Sequence, residues 1–151
     1  GIKIVEQLVE SGFIKDLADL YLLKAQDLLT LEGFADKKTE NLLEAIKNTR
    51  GRSLARFINS LGIYGVGEVT SQDLARNFLN LDNINNASLE ELSSISGIGP
   101  NIALGIKDWF ERPANQLLLE KFKQLGIWPQ EQAKKTSFSV GILSDKVFVI
   151  T

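Results

Sequence analysis

Three evenly spaced glycines are the residues of this chain best placed to bind a ligand. Gly33, Gly65 and Gly97 stand 32 residues apart, and each begins a triplet of glycine, an apolar residue and a small residue. A turn of this kind that opens a helix presents backbone N–H groups without intrahelical partners, beside the positive end of the helix dipole. Glycine also lacks a Cβ, so an anion such as a phosphate can approach the main chain closely.

The second and third triplets are the stronger candidates, because they read GVG and GIG whereas the first reads GFA. Two such turns side by side can hold successive phosphates of one strand without touching base edges, which predicts binding with little sequence preference. In the first triplet Ala35 replaces the second glycine, and a Cβ is unfavourable wherever positive φ is required. The apolar middle residue is expected to pin the two helices together. The predicted contacts are Gly65, Val66, Gly67, Gly97, Ile98 and Gly99.

Side chains suited to catalysis or metal binding are scarce. The 151 residues include no Cys and no His, which excludes disulfides, thiol nucleophiles, imidazole bases and the common zinc ligand sets. The acidic residues, among them Asp36, Glu68, Asp73 and Asp108, show no clustering typical of a metal site. We therefore predict no catalytic residue, no metal site and no cofactor in this chain.

Basic side chains gather just before the second triplet, where Lys47, Arg50, Arg52 and Arg56 lie in the segment IKNTRGRSLAR. They predict contacts with a phosphate backbone, and Arg52 and Arg56 are the residues we assign to it; a solvated junction between helices remains the alternative. The net charge of −2 argues mildly against a polyanion partner. Main-chain donors can nevertheless bind phosphate without a large side-chain charge. Trp109, Phe110 and Trp128 are expected to pack in the core.

The glycines belong to a repeat of helix, turn and helix. Small residues stand six positions after each anchor glycine, and apolar residues stand nine and thirteen positions after it, which is the spacing of one helical stripe. Apolar residues also recur at helical intervals before each anchor, and Ser88 with Glu91 predicts a capping box. The matched positions are Thr39, Ser71 and Ala103, then Leu42, Leu74 and Ile106, then Ile46, Phe78 and Phe110.

Both ends of the chain extend this pattern. The first residues predict the turn and second helix of an earlier copy, with Gly12 as the helix stop, which would make about four hairpins. One more helix is predicted between Pro113 and Gly126. Residues 129–137 have the composition of a linker, and the run from Lys146 to Thr151 has that of a buried strand, so a second domain is expected to begin near residue 138.

The chain carries no sign of membrane insertion or secretion. No window approaches the roughly 18 consecutive apolar residues of a membrane span, and no basic start is followed by an apolar stretch. We expect a cytoplasmic location, in association with the nucleoid, and no membrane partner. The absence of Met and the start at Gly1 suggest a piece of a longer protein.

Several blocks of the sequence, taken in order, resemble the tandem helix-hairpin-helix domain of bacterial NAD-dependent DNA ligases. The resemblance covers about residues 1–128 and rests on KIVEQLVESG, DLADLYLL, LEGFADKKTENLLEAI, LARFINSLGIYGVGEVTSQDLARNF and SLEELSSISGIGPNIALGIKDWF. The segment FVIT also resembles the first strand of the BRCT domain that follows in such ligases. The resemblance implies an all-α fold of tandem hairpins with a short β segment at the C-terminus.

By resemblance, the parent protein seals nicks between a 3′-hydroxyl and a 5′-phosphate, with NAD as adenylate donor and with Mg²⁺ and Zn²⁺ bound elsewhere in the enzyme. The nucleotidyl-transfer lysine, oligonucleotide-binding fold and four-cysteine zinc finger of that family are not in this sequence, so the segment is expected to bind nicked duplex DNA and not to ligate it. Its other expected partners are the remaining domains of the same ligase chain. The resemblance adds Gly1, Lys3 and Lys37 to the predicted DNA contacts.

Two other functions fit parts of the pattern. Hairpin repeats also serve as scaffolds that bind proteins, although a scaffold does not need the second glycine of each triplet or the nearby arginines. A base-excision glycosylase of the helix-hairpin-helix class would require a catalytic Asp or Lys after a single hairpin, and the tandem hairpins argue against it.

Overall fold

The computed structural model describes residues 2–129, and within this range the chain is helical without any strand. The all-α prediction is therefore confirmed. A 3-10 helix spans Leu17–Leu22, and the α-helices are α1 Ile2–Glu10, α2 Ala25–Leu28, α3 Asp36–Lys47, α4 Leu54–Ser60, α5 Glu68–Phe78, α6 Leu81–Asn86, α7 Leu89–Ser93, α8 Pro100–Glu111 and α9 Pro113–Gln124. Gly1, most of the predicted linker (129–137) and the predicted β segment (138–151) lie outside the described residues.

Within residues 2–129 the helices form three complete hairpins, each with one of the anchor glycines in its turn. The first hairpin joins α2 to α3, the second α4 to α5, and the third α7 to α8. The predicted helix ends are confirmed as well: Ser88 and Glu91 form a capping box at the start of α7. Pro113 is the first residue of α9, and Gly126 has positive φ just after it. Gly12, which follows α1, also has positive φ.

Two hydrophobic clusters hold the hairpins together. The main cluster runs from α4 to Ile127, takes in Ala18 of the 3-10 helix, and includes both glycine-rich hairpins. A smaller cluster of Leu8, Ile14, Leu28 and Phe34 joins α1 to the first hairpin. The predicted stripe is confirmed, because the residues six positions after each anchor are all buried, as are Leu74 and Ile106. Trp109 and Trp128 pack against the main cluster, as expected of core residues.

Lys121 of α9 forms ion pairs with two carboxylates at the start of the 3-10 helix. Its Nζ lies 2.7 Å from Asp16 Oδ2 and 2.9 Å from Asp19 Oδ1. Hydrogen bonds with Asp16 and Asp19 raise the pKa of Lys121. Burial by itself would raise the pKa of Asp19, but the hydrogen bonds from Lys121 and from the amides of Lys15 and Asp16 outweigh it and lower that pKa.

Candidate nucleic-acid interface

The three anchor glycines adopt one shared turn conformation. Their φ angles are +83° at Gly33, +79° at Gly65 and +90° at Gly97. In each turn the residue after the glycine donates its N–H to the carbonyl two residues before the glycine, over 3.2, 3.0 and 3.0 Å respectively. A bond from i to i+3 with positive φ only at i+2 is the pattern of a type II β-turn, which favours glycine at that position. The anchors are therefore glycines for a conformational reason.

The apolar residue in the middle of each triplet faces the protein. Val66 is 5% exposed and Ile98 is 2% exposed, and Phe34 is likewise buried. The amides of Val66 and Ile98 are already engaged in the turn hydrogen bonds. These two residues thus hold the hairpins in shape, as predicted. Our prediction that Val66 and Ile98 also contact DNA is wrong, because their side chains are buried and their amides already have partners. The exposed surface of each turn is formed by their neighbours.

The second glycine of each triplet has a different role from the first. Gly67 has φ −93° and Gly99 has φ −80°, which are values that any residue adopts. Ala35 occupies the same position in the first hairpin with φ −99°. Our expectation that a Cβ is unfavourable here because of positive φ is wrong, since the positive φ is confined to the anchor glycine.

The space that a side chain at the second glycine would enter is also free of protein. A Cβ placed on Gly67 or on Gly99 would meet no heavy atom within 4 Å. Neither backbone conformation nor packing among the described residues therefore requires glycine at these positions. What glycine provides there is an uncovered main chain, which an external group can approach closely.

Free amide groups follow each of these glycines. The first intrahelical bond of α5 runs from the amide of Ser71 to the carbonyl of Gly67 at 2.9 Å, so the amides of residues 68–70 precede the helical hydrogen-bond ladder. The amide of Ala103 bonds to the carbonyl of Gly99 in the same way, also at 2.9 Å. Pro100 has no N–H, so the third hairpin offers one donor fewer than the second.

The two glycine-rich hairpins touch each other near their turns. A Cβ on Gly65 would lie 3.0 Å from Cγ1 of Ile102, which belongs to the first turn of α8. The turn of the second hairpin therefore packs directly against the helix that the third turn opens.

Two arginines border the start of α5. Arg52 and Arg56 line a surface groove of about 470 Å³ together with Glu68 and Gln72, the first and fifth residues of α5. The structure thus brings the two predicted arginines together beside the first residues of α5, the helix that follows the second glycine-rich turn. Arg50 is directed elsewhere, because its guanidinium lies 5.4 Å from the centre of the Tyr21 ring. Glu68 and Gln72 were not among the predicted residues, since nothing in the sequence pairs them with the arginines.

The remaining predicted contacts lie near the first hairpin and α1. Lys37 is exposed in the first turn of α3, whereas Lys38 folds back so that its Nζ lies 4.5 Å from the centre of the Phe34 ring. Lys3 is exposed near the start of α1. Across residues 2–129, no three acidic side chains gather as a metal site, and no helix has the length and hydrophobicity of a membrane span.

Comparison with known proteins identifies the hairpins. A family model described as the helix-hairpin-helix motif matches residues 56–119, which include both glycine-rich turns. DNA ligases align with all 151 residues: that of Trichlorobacter lovleyi is 43% identical, and that of Roseiflexus sp. is 40% identical. The chain contains a helix-hairpin-helix domain homologous to the C-terminal region of bacterial DNA ligases.

The chain corresponds to a limited part of those relatives. It spans 22% of the length of the ligase from Trichlorobacter lovleyi. It likewise spans 22% of the ligase from Chloroflexus aggregans, with which it is 42% identical. The predicted resemblance to a DNA ligase is confirmed, while the BRCT-like start beyond residue 138 stays a prediction.

Proposed function

We propose that this chain binds duplex DNA at nicks, without sequence preference, as the helix-hairpin-helix segment of an NAD-dependent DNA ligase. The observation that carries the proposal is the pair of second glycines, Gly67 and Gly99. Neither is needed for backbone conformation or for packing among residues 2–129, yet each stands directly before a helix start with free amides. A phosphate oxygen is the ligand that uses both features, because it needs hydrogen-bond donors and close approach to the main chain.

The distribution of charge supports the same assignment. Arg52 and Arg56 border the groove at the start of α5, so a phosphate held by the amides there would also face two guanidinium groups. Backbone amides and arginines that bind phosphates read no base edges. The expected consequence is affinity for duplex DNA of any sequence, with a marked dependence on salt concentration.

In the parent enzyme, this segment contributes binding and no chemical step. The ligase would join the 5′-phosphate and 3′-hydroxyl at a nick during replication and repair, in the cytoplasm, with NAD as adenylate donor. NAD, Mg²⁺ and Zn²⁺ would be bound by other domains of the same chain. A protein-binding scaffold explains the observations less well, since it has no use for uncovered amides at Gly67 and Gly99.

Alanine substitutions of the second glycines test the phosphate contacts. We expect Gly67→Ala and Gly99→Ala to fold normally and each to raise the Kd for nicked duplex about tenfold, as loss of one charge-assisted hydrogen bond would. Gly105→Ala is the matched control, because Gly105 lies inside α8 and a Cβ there also meets no atom within 4 Å. Titration of labelled nicked DNA measures the Kd of each variant, and circular dichroism checks that each variant is folded. Equal affinities for all four proteins would refute the proposal.

The arginines are tested through the salt dependence of binding. Each phosphate contact that is lost should lower the slope of log K against log salt by about 0.9. We expect this change for Arg52→Ala and for Arg56→Ala. Arg50→Ala should leave the slope unaltered, because Arg50 is placed over the Tyr21 ring. An unchanged slope for Arg52→Ala and Arg56→Ala would mean that these arginines are solvated surface residues that do not contact phosphate.

A further inference from the structure

The tip of the second hairpin carries an aromatic side chain that the fold does not use. Tyr64 is 91% exposed, so almost no protein atom covers its ring. Every other aromatic residue in the range 2–129 is buried or half-buried. The backbone beneath Tyr64 is nevertheless firmly held, because Ile63 and Val66 on either side are buried and joined by the turn hydrogen bond.

A second apolar side chain stands on the other side of the free amides. Val69, in the first turn of α5, is 70% exposed. Tyr64 and Val69 therefore flank Gly67 along the chain, three residues before it and two residues after it. The equivalent positions of the third hairpin are polar, with Ser96 and Asn101. The second hairpin is thus the one whose proposed phosphate contacts are bordered by apolar groups.

Apolar groups beside a bound phosphate face the adjoining sugar. The ring edge of deoxyribose is a C–H surface next to the phosphate, whereas ribose carries a 2′-hydroxyl on the minor-groove side. We propose that Tyr64, assisted by Val69, packs against a backbone deoxyribose and makes this hairpin discriminate against ribose. The inference rests on the proposed function, because it needs the phosphate to lie at Gly67. A hydroxyl covered by these side chains would lose its water without gaining a partner.

The test compares the binding of a nicked DNA duplex with that of the same duplex carrying a block of ribonucleotides in one strand. We expect the unaltered 151-residue chain to bind the ribonucleotide duplex about tenfold more weakly, as one unsatisfied buried hydroxyl would cause. A duplex with 2′-fluoro sugars in the same block controls for helix shape, since fluorine favours the ribose-like pucker without adding a hydroxyl. The chain should bind this 2′-fluoro duplex more tightly than the ribonucleotide duplex.

Tyr64→Ser, which copies the residue of the third hairpin, should weaken DNA binding. It should also reduce the difference in affinity between the DNA duplex and the ribonucleotide duplex. Its salt slope should not change, because no charge is removed. Tyr64→Phe should behave as the unaltered protein if the ring makes the contact. Leu117→Ser is the matched control, because Leu117 is 67% exposed on α9, a helix that belongs to none of the three hairpins.

The outcomes separate this inference from the proposed function. If Tyr64→Ser binds both duplexes as the unaltered protein does, the inference is overturned and the ring is free to serve a protein partner. If Gly67→Ala still weakens binding in the same series, the proposed function stands. A loss of affinity in Tyr64→Phe as large as that in Tyr64→Ser would also overturn the inference about Tyr64, because the hydroxyl and not the ring would then make the contact.

Discussion

The contact between the two glycine-rich hairpins can be tested by adding one methyl group at Gly65 or at Gly97. Both glycines have positive φ, +79° and +90°, so alanine is strained at either position. They differ in their surroundings. A Cβ on Gly97 meets no atom within 4 Å, whereas a Cβ on Gly65 lies 3.0 Å from Cγ1 and 3.3 Å from Cδ1 of Ile102. Gly97→Ala therefore measures the backbone effect alone, and Gly65→Ala adds the steric contact between hairpins.

The expected magnitudes follow from these two effects. A left-handed conformation costs a non-glycine residue about 1–2 kcal/mol, and the lower entropy of the unfolded chain offsets roughly 0.4–1 kcal/mol of this. We expect Gly97→Ala to destabilise the protein by about 1 kcal/mol. Crowding against Ile102 should add about 1–3 kcal/mol at Gly65. The addition should fall toward the lower end of that range, because Ile102 is half-buried and its side chain can shift.

Urea denaturation followed by far-ultraviolet circular dichroism measures the free energy of unfolding of both variants. Ile102→Ala completes a double-mutant cycle with Gly65→Ala. In the Ile102→Ala background, Gly65→Ala should cost only as much as Gly97→Ala does, because the crowded carbon atoms are gone. The reasoning is refuted if Gly65→Ala and Gly97→Ala are equally destabilising and the cycle shows no coupling. The second turn would then not pack against α8 as described.

Three further predictions concern single side chains. Ser71 Oγ is buried without a hydrogen-bond partner among the described residues, and Ala103 occupies the same repeat position, so Ser71→Ala should be neutral or stabilising by about 1 kcal/mol in urea denaturation. Clear destabilisation would mean that the hydroxyl is paired. Because the pKa of Asp19 lies below its ordinary 3.8, its contribution to stability is present above that pH and is lost as the pH falls through the folded-state pKa. Lys121→Met should therefore lower the free energy of unfolding near neutral pH. The difference in this free energy between the variant and the unaltered protein should shrink below pH 3.8. A difference that stays constant with pH would contradict this. Glu68→Gln removes a negative charge from the groove at the start of α5 and should tighten DNA binding about two- to fivefold at low salt, whereas unchanged affinity in the same titration would place the phosphate elsewhere.

Much of the fold could be read from local spacing. The type II turn needs glycine at one position, and a helix packed on one face needs apolar or small residues at fixed intervals, so the repeat at Gly33, Gly65 and Gly97 marked all three hairpins. The capping box at Ser88 and the helix stop at Gly12 were predictable for the same reason, since capping depends on residues within one turn of the helix.

The candidate site was only partly predictable. The sequence indicated the two glycine-rich turns and the neighbouring arginines. It gave two reasons for glycine, positive φ and close approach of an anion, but it did not say which glycine of a triplet serves which. The structure separates them: Gly65 serves the turn, whereas Gly67 leaves the main chain open. The exposure of Tyr64 was missed, because an aromatic residue in a short turn is as compatible with packing as with solvent.

Sequence alone determined the helices of the repeat and α9, where the hairpins turn and which helix faces are apolar, because these properties depend on residues a few positions apart. The 3-10 helix and α6 were not predicted. Only the tertiary structure decided that the turn of Gly65 packs on Ile102, that Arg52 and Arg56 share a groove with Glu68, and that Lys121 reaches Asp16 and Asp19. These contacts depend on how whole hairpins pack. That packing is set by the combined shape of buried side chains from many segments, which no local spacing records.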